Sequence, residues 1–180
     1  MADPHIDAAF HAFATERRFR PATVERWSHL QEQDAAALLA LMQELRPSEN
    51  QLRDLWKWIE EIAARDQSSL ASVLASEPLT ATRRRNVSRN DRLKLVKGAL
   101  RRQRFPQLAA TEDRLAGFVR ELGLPRNVRV TLPEFLEGDA IQVAITASSP
   151  AALRAAADAL QAAAASAACA ALFAGLDEAM

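Results

Sequence analysis

The chain has 180 residues, 49% of them apolar, with 23 basic and 23 acidic side chains and one cysteine. That apolar content argues against wholesale disorder, and the lone Cys169 excludes an intramolecular disulfide and fits a reducing compartment. Asp3, Asp7 and the lack of a continuous apolar run speak against a secretory signal.

Pro21 suits the first turn of a helix running to about residue 30. Leu38, Leu39, Leu41, Met42 and Leu45 predict a second helix, with Asp34 as its cap and Pro47 beyond its end. Ser48 and Gln51 have the spacing of a capping box that opens a long helix to about Arg65. Its apolar face is Leu52, Leu55, Trp56, Ile59, Ile62 and Ala63, three and four apart. Ser68 or Ser69 starts a short helix with Leu70, Val73 and Leu74. The stretch 77–89 contains Pro78 and no apolar periodicity, so it reads as a linker between a helical domain, 1–76, and a second domain, 90–180.

The second domain opens on a basic helix ending near Pro106, capped by Ser88 or Asn90. A helix follows from about Thr111 to Leu122, with Gly123 at the position just past its end. Val128, Val130 and Leu132 alternate with polar residues, and so do Ile141, Val143 and Ile145. With Glu137-Gly138-Asp139 between them, they predict an antiparallel hairpin with one apolar face. A lone hairpin is marginal in water, so a neighbouring helix is expected to cover that face. A helix after Pro150 leads into an alanine-rich tail, read as helix, with a fraying end or an oligomer contact as alternatives. The fold class expected is α+β, mainly α: a helical N-terminal half, a basic helix, and a small α-β-β-α unit with an Ala-rich C-terminal helix. The alanine-rich 155–175 is the nearest approach to a membrane span, but it holds Asp158, Gln161 and Ser166 and is too weakly hydrophobic. A soluble, cytoplasmic protein without a membrane partner is expected.

Net charge is zero but unevenly spread. Residues 1–82 sum to −5, residues 83–104 to +9 and residues 105–180 to −4. A concentrated positive segment attracts polyanions even in a neutral molecule. On a helix, Lys94, Lys97, Arg101 and Arg104 form one stripe, while Leu93, Val96 and Leu100 form another that can pack. Arg83, Arg84, Arg85 and Arg89 precede the helix as an arm. These eight residues are the candidate contacts to a nucleic-acid backbone, and six such contacts give a log–log salt slope of roughly −5. No aromatic residue interleaves the segment before Phe105, which favours duplex DNA over a single strand. The alternative is that the basic helix docks on an acidic partner or on the chain's own acidic flanks.

Other chemistry is sparse. A helix-turn-helix at 62–74 would have the recognition helix Ser69-Leu70-Ala71-Ser72-Val73-Leu74, with no side chain suited to base edges, so a helical hairpin in the core is the better reading. His5, Asp7 and His11 lack further ligand spacing, and no metal or other cofactor is implied. No nucleotide loop, nucleophile elbow or dinucleotide fingerprint occurs, and no enzyme mechanism can be assembled. Trp58 sits at the edge of the long helix's apolar face, as a core boundary or as an anchor for a protein partner.

Two stretches carry a family likeness, residues 46–74 and residues 100–145. They contain Pro47 with Asn50 at a helix start, Arg104-Phe105-Pro106, Gly123-Leu124-Pro125 before a strand, and Phe135-Leu136-Glu137-Gly138 in a turn. In that order they resemble the C-terminal region of ParB-like partition proteins, except for the inserted Leu136. The resemblance implies DNA-linked work in chromosome or plasmid maintenance. It does not extend to that family's N-terminal nucleotide-hydrolysing core, for which this chain has no room. Thr15-Glu16-Arg17-Arg18 echoes the family's G-E-R-R box, but with threonine for glycine and no preceding strand. The expectation is a non-enzymatic, DNA-associated accessory protein. A protein-interaction adaptor is the alternative, and a homo-oligomer is compatible with either.

Overall fold

In the computed structural model, which describes residues 3–179, the chain is mainly α with one antiparallel hairpin. The elements are α1 (Pro4–Glu16), α2 (Pro21–Ser28), α3 (Glu32–Leu45), α4 (Glu49–Arg65), α5 (Leu70–Leu74), α6 (Glu77–Arg83), α7 (Arg89–Arg104), α8 (Pro106–Glu121), β1 (Val128–Thr131), β2 (Gln142–Ile145), α9 (Pro150–Ala164) and α10 (Ala167–Asp177). They form two compact units, Met1–Phe105 and Pro106–Met180.

In the first unit, α4 buries the apolar stripe that its spacing predicts. Its start is fixed by the reciprocal box: Ser48 Oγ accepts from the Gln51 N–H, and Gln51 Oε1 accepts from the Ser48 N–H at 2.9 Å. Helix α1 was not expected. Pro4 sits in its first turn, Asp3 accepts from the His5 N–H at 2.8 Å, and Phe10, Phe13 and Ala14 are buried. Phe10 stacks on Trp27 at 3.9 Å, and Trp27 meets Trp56 edge-on at 6.5 Å. Such aromatic contacts add to area burial. The Trp27 indole N–H donates to Asp7 at 2.9 Å, which gives that carboxylate a structural task.

Two carboxylates cap helices other than the ones they are near in sequence. Asp34 does not cap α3, because α3 begins earlier, at Glu32. Its buried carboxylate instead accepts the Ala71 N–H at 2.8 Å, closing the start of α5. Glu49 accepts from the Arg20 N–H at 3.0 Å and the Thr23 hydroxyl at 2.6 Å at the start of α2, where no local side chain caps. The Thr23 hydrogen bond, aided by Arg20, holds the Glu49 carboxyl below its ordinary range.

The stretch 77–89 is not a linker between domains. Glu77 to Arg83 form α6, and Leu79 is fully buried in the first unit's core. One apolar anchor in a short helix leaves no periodicity to detect, while Pro78 at the first turn favours a helix start. The division falls instead between Phe105 and Pro106. The basic helix therefore belongs to the N-terminal unit.

In the second unit, α8 begins at Pro106, five residues before the expected Thr111. Leu115 of α8, Leu172 and Leu176 of α10, and Leu136 form the buried core. The alanine-rich tail is thus two helices, and α10 is part of the core. Ser166 separates them by accepting the Cys169 N–H at 3.2 Å. Gly175 is required where α10 meets α8: a Cβ there would lie 2.7 Å from Leu115 Cδ2. Gly123 ends α8 at φ +62°, as its position predicts.

The hairpin is antiparallel, pairing Val128 with Ile145 and Val130 with Val143. Its connection is longer than a tight turn and contains a 3-10 turn, Glu134–Leu136, with Phe135 and Leu136 both at positive φ. Leu132 and Ile141 at its base join the second core. The expected helical cover over the apolar face is incomplete: Val128 is buried, whereas Val143 and Ile145 are 41% and 38% exposed. Among the described residues no single helix is long and apolar enough to cross a membrane. Helices α9 and α10 reach that length only together, across a 67° bend.

Candidate polyanion interface

Helix α7 is capped by Ser88, whose hydroxyl accepts from the Asp91 N–H at 3.2 Å and donates to the Asp91 carboxylate at 2.6 Å. Leu93, Val96 and Leu100 are buried and seat the helix in the first unit's core. At its far end Arg65 donates to the Gln103 and Arg104 carbonyls at 2.6 and 3.1 Å, satisfying groups that a helix C-terminus leaves open.

Docking turns much of the cationic stripe inward. Lys97 lies 3.7 Å from Asp54, and Arg104 forms an ion pair with Glu61. Both acids are on α4. Arg83, at the end of α6, donates to Glu44 of α3 at 2.7 Å, and Arg92 approaches the same carboxylate at 3.8 Å. Arg101 is also engaged in an interaction. So Arg83, Lys97 and Arg104, three of the eight proposed backbone contacts, already have carboxylates on other helices.

Trp58 lies inside this clamp. Lys97 Nζ and the Arg104 guanidinium sit 5.6 and 5.9 Å from its ring centre, within cation–π range. The ring is partly buried against the first core. It is a seam residue between α4 and α7, which is the core-boundary reading rather than an open anchor.

The rest of the cationic set faces water. Arg84, Arg85 and Arg89 are exposed and make no side-chain ion pair among the described residues. Lys94 is 80% exposed and meets only Asp91, three residues back, at 3.7 Å. The backbone carrying the arm is tied: Arg92 donates to the Arg85 and Val87 carbonyls at 3.2 and 3.5 Å. The arm is therefore held to the first turn of α7.

The clamp acids Glu44, Asp54 and Glu61 were not singled out together from sequence, although a signal exists. Asp54 and Glu61 are seven apart on α4, and Lys97 and Arg104 are seven apart on α7. Equal two-turn spacing puts each pair on one face of its helix. Elsewhere among the described residues, no group of three or more His, Cys, Asp or Glu side chains is placed to hold a metal ion. The chain matches no protein-family model, no curated protein and no solved structure.

Proposed function

We propose that this is a non-enzymatic binding protein whose polyanion contact is confined to Arg84, Arg85, Arg89 and Lys94, with duplex DNA as the polyanion. The observation that carries the reading is the set of exposed guanidinium groups of Arg84, Arg85 and Arg89 at the α6–α7 connection, which have no acidic partner among the described residues. Arg83, Lys97 and Arg104 have a different role here, as an internal clamp. The likeness to ParB-like C-terminal regions lends the DNA reading support from sequence, and with it a place in DNA partition or maintenance.

The number of exposed cations sets the test. Four phosphate contacts give a log–log salt slope of about −3.6, whereas the full set of eight gives about −7. Labelled duplex is titrated at several salt concentrations with the wild type, an Arg84/Arg85/Arg89→Gln variant and a Lys97→Met variant. The triple variant should lose most of the affinity, and Lys97→Met should keep the wild-type slope. A wild type without salt-sensitive DNA affinity removes the proposal.

A second reading has an observation of its own. Two residues of the basic helix lie against acids of this same chain, Lys97 on Asp54 and Arg104 on Glu61, which favours an interaction adaptor. Under that reading the arm meets an acidic protein surface, and a polyglutamate probe competes more strongly than duplex DNA.

A further inference from the structure

We infer that the cleft between α2 and α4 is a binding site for a small monocarboxylate, held by the Arg53 guanidinium and the Trp56 indole N–H. The cleft has a volume of about 260 Å³, and its polar lining is Arg20, Thr23, Arg26, Glu49, Arg53 and Trp56. Sites for drug-sized ligands enclose roughly 300–1,000 Å³, so this one suits a smaller molecule.

The order of residues along the two helices explains what the cleft offers. Glu49, Arg53, Trp56 and Glu60 follow one another at four, three and four residues and so share one face of α4. Both ends of the seam with α2 are closed by polar pairs. Glu49 accepts from the Arg20 N–H and the Thr23 hydroxyl at one end, and Arg26 forms an ion pair with Glu60 at the other. The middle holds two donors without acceptors. Arg53 is exposed and has no acidic partner among the described residues. Trp56 is fully buried, and its indole nitrogen has no hydrogen-bond partner. A buried donor left unpaired costs stability, and folded proteins seldom keep one without a reason. The neighbouring Trp27 indole is satisfied by Asp7.

Charge counting fixes the ligand class. Three guanidinium groups, on Arg20, Arg26 and Arg53, meet two carboxylates, Glu49 and Glu60, which leaves one positive charge. A single carboxylate neutralises it, and its two oxygens match the fork of a guanidinium. A phosphate dianion would bring one negative charge too many and set it beside Glu49. The ligand's apolar body rests on Ala22 and the Trp56 ring. Arg26 lies over that ring, 4.5 Å from its centre. Its long stem lets the guanidinium turn toward an entering anion, and that movement opens the indole N–H to a ligand oxygen.

The test reads the indole directly. The chain has three tryptophans and so three indole N–H resonances. Benzoate is titrated into the full chain at constant ionic strength and followed by heteronuclear NMR. The Trp56 resonance should move downfield to saturation, and that of Trp58, in the α4–α7 seam, should stay in place. Arg53→Met should raise the dissociation constant roughly 10–100-fold, the loss of a hydrogen bond to a charged group. Benzamide, with the same shape and no charge, should not saturate the site, and inorganic phosphate should bind more weakly than benzoate. A Trp56 resonance that stays still up to about 20 mM benzoate, beyond millimolar-class affinity, overturns the inference. So does unchanged affinity in Arg53→Met. Benzamide binding as tightly as benzoate, or phosphate binding more tightly, also overturns it, and both comparisons use the wild type alone.

Discussion

Replacing Glu44 with glutamine should loosen the clamp and expose more positive charge in the same step. The carboxylate is 23% exposed and its partner Arg83 is 24% exposed, with donor and acceptor 2.7 Å apart. Hydrogen bonds to charged groups contribute about 1.5–3 kcal/mol, and fully exposed pairs about 0–1 kcal/mol. A pair three-quarters covered falls between, so Glu44→Gln should cost about 1–2 kcal/mol. For a unit of this size that lowers Tm by on the order of 5–10 °C. Tryptophan fluorescence is the assay of choice, because Trp27, Trp56 and Trp58 all lie in the first unit and the chain has no other tryptophan and no tyrosine. A double-mutant cycle with Arg83→Met isolates the pairing energy, expected near 1 kcal/mol. Under the proposed function, the same substitution also steepens the salt slope of DNA binding, because Arg83 and Arg92 lose their acid. Unchanged stability together with a coupling energy near zero would refute the clamp.

The Thr23 hydroxyl and Arg20 hold the Glu49 carboxyl low, so it ionises more readily folded than unfolded. Its contribution is present above the unfolded carboxylate pKa and is lost as pH falls through the folded one. Glu49→Gln should flatten the acid limb of a stability–pH curve and leave its neutral slope unchanged. Leu79→Ala should destabilise the first unit by about 2–5 kcal/mol, read by urea unfolding; a silent substitution there would favour a linker at 77–89. Gly175→Ala forces a methyl against Leu115 and should cost about 1–3 kcal/mol in the second unit. That loss should appear in hydrogen exchange of α8 and α10, with tryptophan fluorescence unaltered.

The elements with many anchors were legible. Helix α4 has six apolar residues at helical spacing and a capping box, and both strands alternate cleanly, so sequence located them to within a residue or two. Helix α6 was not legible, because Leu79 is its one buried side chain and a single residue has no period. Helix α1 carries sequence signs of its own, Pro4 in the first turn and Phe10, Phe13 and Ala14 at helical spacing. The unit boundary was misplaced because Pro106 reads equally as the end of α7 and the start of α8. For the candidate site, sequence found the cations but not their direction. Side-chain direction on α7 depends on where α4 places Asp54 and Glu61, a tertiary fact carried only faintly by matched seven-residue spacings. Asp34 shows the same limit, since its partner lies 37 residues away.

The Arg92 guanidinium holds two carbonyls of the segment that displays Arg85 and Arg89. Ordering of that main chain therefore happens once, when the protein folds, and is not repeated at each encounter with a ligand. A disordered arginine tail of equal charge would surrender freedom every time it bound. Cutting the Arg92 tether should leave the electrostatics of approach nearly intact while shortening the lifetime of whatever complex forms.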